Sequence, residues 1–301
     1  MNKLAIRHSL LLLLAASIWG VAFVAQSVGM DYVGPFTFNA VRSLVGGIVL
    51  VPFIFIFNKK DKMDDTKNDS SQKAYKDKRM LMIGGVICGA ILFAASSLQQ
   101  IGIQYTTVGK AGFITALYIV IVPLISIFLH KSNTVKIWMG VILAVVGMYL
   151  LCIKQGESGL QLGDAFILGC AIMFSFHILA VEYFSPLVDG IKMSCIQLFT
   201  CSFLSGIFML CFETFNINNI LNAWLPILYA GALSSGVAYT LQIIGQKGLN
   251  STVASLIMSL ESVISLLAGW AVLGQALSKR ELIGCTIVFV AIILVQLPEK
   301  K

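Results

Sequence analysis

Charge is scarce in this chain. Only 12% of its 301 residues are Asp, Glu, Lys or Arg, about half the share found in soluble domains. That excludes an ordinary water-soluble globule. Histidine is rarer still, at three residues, and none has a second ligand at metal-site spacing. The seven cysteines (Cys88, Cys152, Cys170, Cys195, Cys201, Cys211 and Cys285) are scattered, odd in number and without a CxxC pair. Neither a zinc site nor a disulfide framework has that pattern, so they read as small core hydrophobes. No P-loop is present, which removes ATP as a direct driver. Short alternating segments separated by turns are missing too, which excludes a β-barrel. The sequence calls for no cofactor.

Long apolar runs take their place. Hydrophobic residues make up 58% of the chain and the mean hydropathy is +0.90. Windows of about 20 residues, the length that crosses ~30 Å of hydrocarbon, fall at 9–28, 35–57, 80–103, 111–129, 137–153, 164–184, 191–212, 224–245, 253–273 and 282–297. The fold class is therefore an all-α polytopic membrane protein with ten transmembrane helices. The first window follows Lys3 and Arg7 as a signal peptide would, but it runs on without a cleavage site and reads as an uncleaved span. One connection, 58–79, is long and charged, with eight basic and five acidic residues; it reads as a disordered loop.

The basic residues set an orientation. With both termini inside, sixteen Lys and Arg face the cytoplasm and four face out, with Arg42 inside a span. That bias matches the positive-inside rule. The net charge of +7 thus serves topology and contact with anionic membrane lipid, and nucleic acid is not needed as a partner. The expected location is the cell (plasma or inner) membrane.

The chain also resembles itself. Leu98-Gln99-Gln100-Ile101-Gly102 matches Leu241-Gln242-Ile243-Ile244-Gly245 at an offset of 143, which also brings Tyr118 onto Glu261. Near the start the offset is 155 and places Trp19 on Phe174 and Arg42 on Gln197. Five spans in each half is an odd number, so the halves (1–153 and 154–301) enter the membrane with opposite orientation. Inverted repeats of this kind give transporters alternating access around a midplane site.

Val33-Gly34-Pro35 followed by Asn39-Ala40-Val41-Arg42 resembles the opening of the second helix in EamA-type permeases of the drug/metabolite transporter superfamily. Gly109-Lys110-Ala111-Gly112-Phe113-Ile114-Thr115 with Val122-Pro123-Leu124 resembles their fourth helix. Ser259-Leu260-Glu261-Ser262-Val263, Leu273-Gly274-Gln275 and Ile283-Gly284 resemble their ninth and tenth. Two positions depart from that pattern: Ser262 stands where Pro is frequent, and Gln275 where Glu is usual. The resemblance implies ten helices in two halves around a central cavity, and transport of small metabolites, amino acids, sugars or drugs, frequently outward.

Some polar residues lie inside spans and need a reason. Glu261 sits near the middle of the ninth, where a charge costs roughly 2.5–3.5 kcal/mol on insertion scales. Its neighbours Ala254, Ser265 and Ala268 form a small, partly polar face unsuited to lipid contact. Glu261 could bind a cationic or amino group, carry a proton, or be a structural carboxyl bonded to other helices. Tyr118, its repeat partner, suits a cavity wall or aromatic packing. Trp19 at mid-depth could stack on a solute or fill core. His177, midway along the sixth span, fits a proton relay, a ligand donor or an interhelical contact. Gln99 and Gln242 are related by the repeat at opposite depths and, with Gln100 and Tyr239, fit a transport route or interhelical hydrogen bonds. Arg42 lies nearer the outer end of its span and can snorkel, which suits pairing or helix-end anchoring, with a substrate contact as the lesser alternative. Glu182 reads as interfacial, the glycines 84, 85, 89 and 231–236 as sites of close packing or hinges, and Pro123 as a kink in the fourth span.

The expected function is secondary transport of small organic solutes, amino acids or related metabolites and drugs, as an exporter. Uptake of a sugar or nucleobase-like metabolite is the alternative, with a channel or intramembrane enzyme as further classes. The substrate-binding candidates are Glu261, Tyr118, His177, Trp19, Gln99, Gln242 and Tyr239, with no catalytic or metal-binding residue.

Overall fold

Apolar runs of this length must pair every backbone N–H and C=O internally when lipid replaces water, and a helix does so within one segment. A computed structural model of the protein describes residues 3–64, 71–129, 134–152, 162–273 and 278–296, and all its regular elements are helical. They are α1 (Lys3–Gly29), α2 (Pro35–Asp64), α3 (Ser71–Ile103), α4 (Val108–Thr115), α5 (Tyr118–Phe128), α6 (Val135–Cys152), α7 (Leu162–Phe184) and α8 (Gly190–Phe212). Next come α9 (Ile217–Asn222) and α10 (Trp224–Leu228), a π-helical segment over Tyr229–Ala238, then α11 (Tyr239–Gln246), α12 (Ser251–Met258), α13 (Leu260–Leu273) and α14 (Lys279–Gln296). Among the described residues, eight stretches are long and apolar enough to cross a membrane, and two shorter apolar helices cover Val135–Gly147 and Leu282–Val295.

The charged connection differs from its expectation. Helix α2 continues to Asp64 and α3 starts at Ser71, so most of 58–79 is helical. Lys-rich, proline-free flanks have good helix propensity and extend the turns already nucleated in the apolar spans. Gln275 and the boundary between residues 153 and 154 lie outside the described residues.

Three spans are broken. The fourth divides at Ala116 and Leu117, one residue before Tyr118, and the ninth divides at Ser259, two residues before Glu261. At the first break the N–H groups of Leu117, Ile119 and Val120 reach carbonyls three residues back, a tightened turn. At the second, Ser255, Ser259, Ser262 and Ser265 each donate a hydroxyl to the carbonyl three residues back, at 2.7–2.9 Å. Such back-bonding competes with the helix ladder and bends it. Pro123 falls inside α5 rather than at the break. The eighth span widens into its π segment where Gly231, Ser234, Ser235 and Gly236 cluster.

Helix α1 is central, packing on α13, α11, α12 and the π segment, while α3 lies against α7 and α8, and α6 against α14. Close approach depends on glycine at one crossing in particular. A Cβ on Gly46 of α2 would lie 2.7 Å from Ser235 Cβ and 2.9 Å from the Gly231 carbonyl oxygen. The glycines read from the sequence as packing positions behave alike: a Cβ on Gly89 would meet the Gln197 carbonyl oxygen at 2.7 Å. Gly46→Leu is therefore expected to cost about 1–3 kcal/mol or more by overpacking, read as a fall of several degrees in the Tm of the purified protein. An unchanged Tm would show that α2 and the π segment separate without penalty.

Turns and caps complete the frame. Thr107, Asp189 and Asn250 cap α4, α8 and α12 by accepting from the backbone N–H of Lys110, Lys192 and Thr252. Gly248, with φ of 80°, supplies the left-handed residue that turns α11 into α12.

Candidate functional site

The two breaks face each other. Tyr118 opens α5, Glu261 lies in the first turn of α13, and the Tyr118 hydroxyl donates to Glu261 Oε1 at 3.0 Å. A carboxylate is favoured in the first turn of a helix, where backbone N–H groups point outward. Glu261 is only 5% exposed, so the carboxylate is turned away from lipid. The sequence-level pairing of these two residues is thus a direct contact.

Both line a central cavity that also touches Trp19, Gln99, Tyr239 and Gln242. Six of the seven residues picked from the sequence therefore share one space. Trp19 Nε1 donates to the Ser234 carbonyl at 3.2 Å, and its ring lies 5.0 Å from that of Tyr239. The acceptor lies within the π segment, where the helix ladder runs i→i+5 instead of i→i+4.

His177 is the seventh, and it does not line the cavity. It is fully buried behind Tyr239 and Phe174, edge-on to both rings, with Nε2 3.2 Å from Gln197 Oε1. This geometry matches an interhelical contact that braces the Tyr239 wall. Gln99 and Gln242, read as lying toward opposite mouths, line the same chamber. Gln99 donates to Thr115 Oγ1 at 3.3 Å, and Gln242 Oε1 has no protein partner. Gln100 does not line the cavity; fully buried, it donates to the Gln26 carbonyl at 3.2 Å.

Arg42 corrects its sequence reading. It does not snorkel: it is 3% exposed and lines the cavity, with its guanidinium 5.7 Å from the Phe38 ring centre. Position along a span gave its depth but not its face, and α2 turns that face inward. Gln26 and Ser234 are cavity residues that sequence reasoning missed. Arg42 Nε, Gln26 Oε1 and Gln242 Oε1 all lack protein partners although buried. An unpaired buried polar group costs about 1–3 kcal/mol, and all three belong to residues that line the cavity. The chamber can present one cation, one carboxylate, amides and aromatic faces.

Two polar clasps close one end of the bundle, where α3 and α8 end and α2, α4 and α7 begin. Glu213 accepts from the N–H groups of Phe36 and Thr37, each at 2.8 Å, and from Thr37 Oγ1 at 2.6 Å. Lys110 Nζ lies 2.6 Å from Asp164 Oδ2, and Thr106 Oγ1 donates to Oδ1 at 3.0 Å. Asp164 is 1% exposed. At the other end Glu182 is partly buried and accepts from the Ser251 N–H at 3.2 Å.

Comparison with known proteins gives consistent results. The profile of the EamA-like transporter family matches the chain twice, over residues 7–153 and 161–297. A protein of Archaeoglobus fulgidus described as an uncharacterized transporter is 32% identical over 95% of this chain and 84% of its own. The uncharacterized transporter YoaV of Bacillus subtilis is 23% identical, covering 90% of each chain. A solved crystal structure superposes with a TM-score of 0.73 over 96% of each chain at 17% identity, a likeness of fold.

Proposed function

The chain belongs to the EamA-like transporter family and is a multi-pass membrane transporter, and from that premise we propose that it is a secondary exporter of small organic solutes such as amino acids. The proposed frame is ten spans in two inverted halves, 1–153 and 154–301, with both termini in the cytoplasm of a cell whose plasma or inner membrane holds it. The double match of one family profile, the offset that superposes Tyr118 on Glu261 and the paired breaks beside them support that frame. The two short apolar helices, around 135–147 and 282–295, are its fifth and tenth spans.

The observation that carries the reading is the cavity between the broken spans. Discontinuous helices at mid-depth place backbone ends and polar side chains around cargo in transporters with inverted repeats. Glu261, Tyr118, Trp19, Gln99, Gln242 and Tyr239 are the proposed substrate contacts, with Arg42 and Gln26 added and His177 behind them. Opposite charges in one chamber, Arg42 and Glu261, fit a zwitterion better than a polyanion. Alternating access follows from rocking of one half against the other.

Purified protein in liposomes tests this reading. Exchange of radiolabelled amino acids is expected to saturate with concentration and to rise when unlabelled solute is present on the far side. Non-saturating flux accompanied by ion conductance would make the protein a channel instead.

A further inference from the structure

A second cavity lies at the other end of the bundle, where α3 begins, α7 ends, α8 begins and α11 ends. It is an open cleft lined by Lys78, Lys192 and Lys247, with Leu81, the turn over 186–188 and Asp189. Asp189 is the one carboxylate in the lining, and it is committed locally. Its Oδ1 accepts the Lys192 N–H at 2.9 Å, and its Oδ2 lies 4.0 Å from Lys192 Nζ. Three ammonium groups against one carboxylate leave an excess of positive charge, so the chemistry that fits is an anion, with lysines acting as point charges on a phosphate.

Position says which phosphate. Lys78 starts one apolar span, Lys192 lies in the first turn of another and Lys247 follows the end of a third, so the pocket sits at the depth of lipid headgroups. Beside it the helix surface is apolar and open: Met82, one turn after Lys78, is 54% exposed, Tyr183 is 63% and Leu187 is 48%. A free anion would need the lysines alone, whereas a lipid would also cover those side chains. The start of α1 is at the same end, since a Cβ on Gly245 would lie 3.1 Å from the His8 carbonyl oxygen. In the proposed orientation this is the cytoplasmic leaflet, which carries anionic lipid.

We propose that Lys78, Lys192 and Lys247 hold the headgroup phosphate of an anionic phospholipid whose acyl chains lie along the exposed apolar faces of α3 and α7. Lys78 belongs to the first proposed half and the other two lysines to the second, so one headgroup touches both. The site is separate from the central cavity and from transport itself.

Thermal unfolding and native mass spectrometry of the full chain in neutral detergent test the proposal. Phosphatidylglycerol is expected to bind and raise Tm, and phosphatidylcholine with the same acyl chains is not. In K78Q/K192Q/K247Q the apparent affinity should drop roughly 100-fold, because each lysine near a lipid surface contributes about a factor of five. The three Lys→Arg changes should retain binding. Single Lys→Gln variants, each expected to weaken binding about fivefold, decide the question equally well should the triple variant not fold. Equal shifts from the two lipids, or undiminished phosphatidylglycerol binding in the Gln variants, would overturn the site. A shift reproduced by free glycerol 3-phosphate would overturn its assignment to lipid.

Discussion

Glu261→Gln is expected to lower solute exchange by roughly tenfold or more, the consequence of losing about 1.4 kcal/mol of binding, while the protein stays folded. The substitution keeps the shape of the side chain and its ability to accept from the Tyr118 hydroxyl, now 3.0 Å away. What it removes is the capacity to ionise. A hydrogen bond between a solute ammonium and a carboxylate is worth about 1.5–3 kcal/mol, and a neutral amide keeps only part of that. Stability should move the other way or not at all, since a charge at mid-depth costs roughly 2.5–3.5 kcal/mol to place there. Tyr118→Phe should have the smaller effect, because Glu261 then keeps its carboxyl group and loses only a positioning donor. Exchange assays and Tm on the same preparations check this. Wild-type exchange in Glu261→Gln would assign the carboxylate to structure alone.

The positions of the spans could be read from the sequence because lipid imposes one rule on every residue along a run. The breaks in the fourth and ninth spans could not, because no Pro or Gly stands at either. In the ninth span the signal was the series Ser255, Ser259, Ser262 and Ser265, spaced so that each hydroxyl meets a carbonyl one turn back. Serine in an apolar run reads equally well as a small packing residue, so the pattern alone does not choose. Faces were harder still. A helix apolar on all sides has no stripe to show which way it turns, and Arg42 was therefore placed by depth, with helix-end anchoring favoured over a substrate contact. The repeat supplied what periodicity lacked: laying Tyr118 over Glu261 brought together two residues that touch, 143 positions apart. Gln26 and Ser234 had no repeat partner or charge to single them out, and the cavity alone reveals them.

If the halves rock about the cavity, the clasps at the Glu213 and Asp164 end are what must open. Glu213 satisfies the first N–H groups of α2 from the end of α8, and Lys110 of α4 is paired with Asp164 of α7. In the proposed division each clasp joins one half to the other. Removing one member of a buried ion pair typically costs 3–5 kcal/mol, and Asp164, at 1% exposed, leaves Lys110 without its charge partner when changed to Asn. The state most penalised is the one in which the clasp is closed. A shift of only about 1.4 kcal/mol between closed and open states already changes their ratio tenfold. Asp164→Asn with Glu213→Gln is thus expected to raise the reaction of an impermeant maleimide with Gln26→Cys, on the cavity wall, by roughly tenfold. Labelling is read from the side of the clasps, against the same variants lacking Gln26→Cys. Solute exchange should fall in parallel, since a carrier biased to one side completes fewer cycles. Labelling that stays constant while Tm falls would mean that the clasps stabilise the bundle without gating it, and the proposed rocking motion would lose its outer gate.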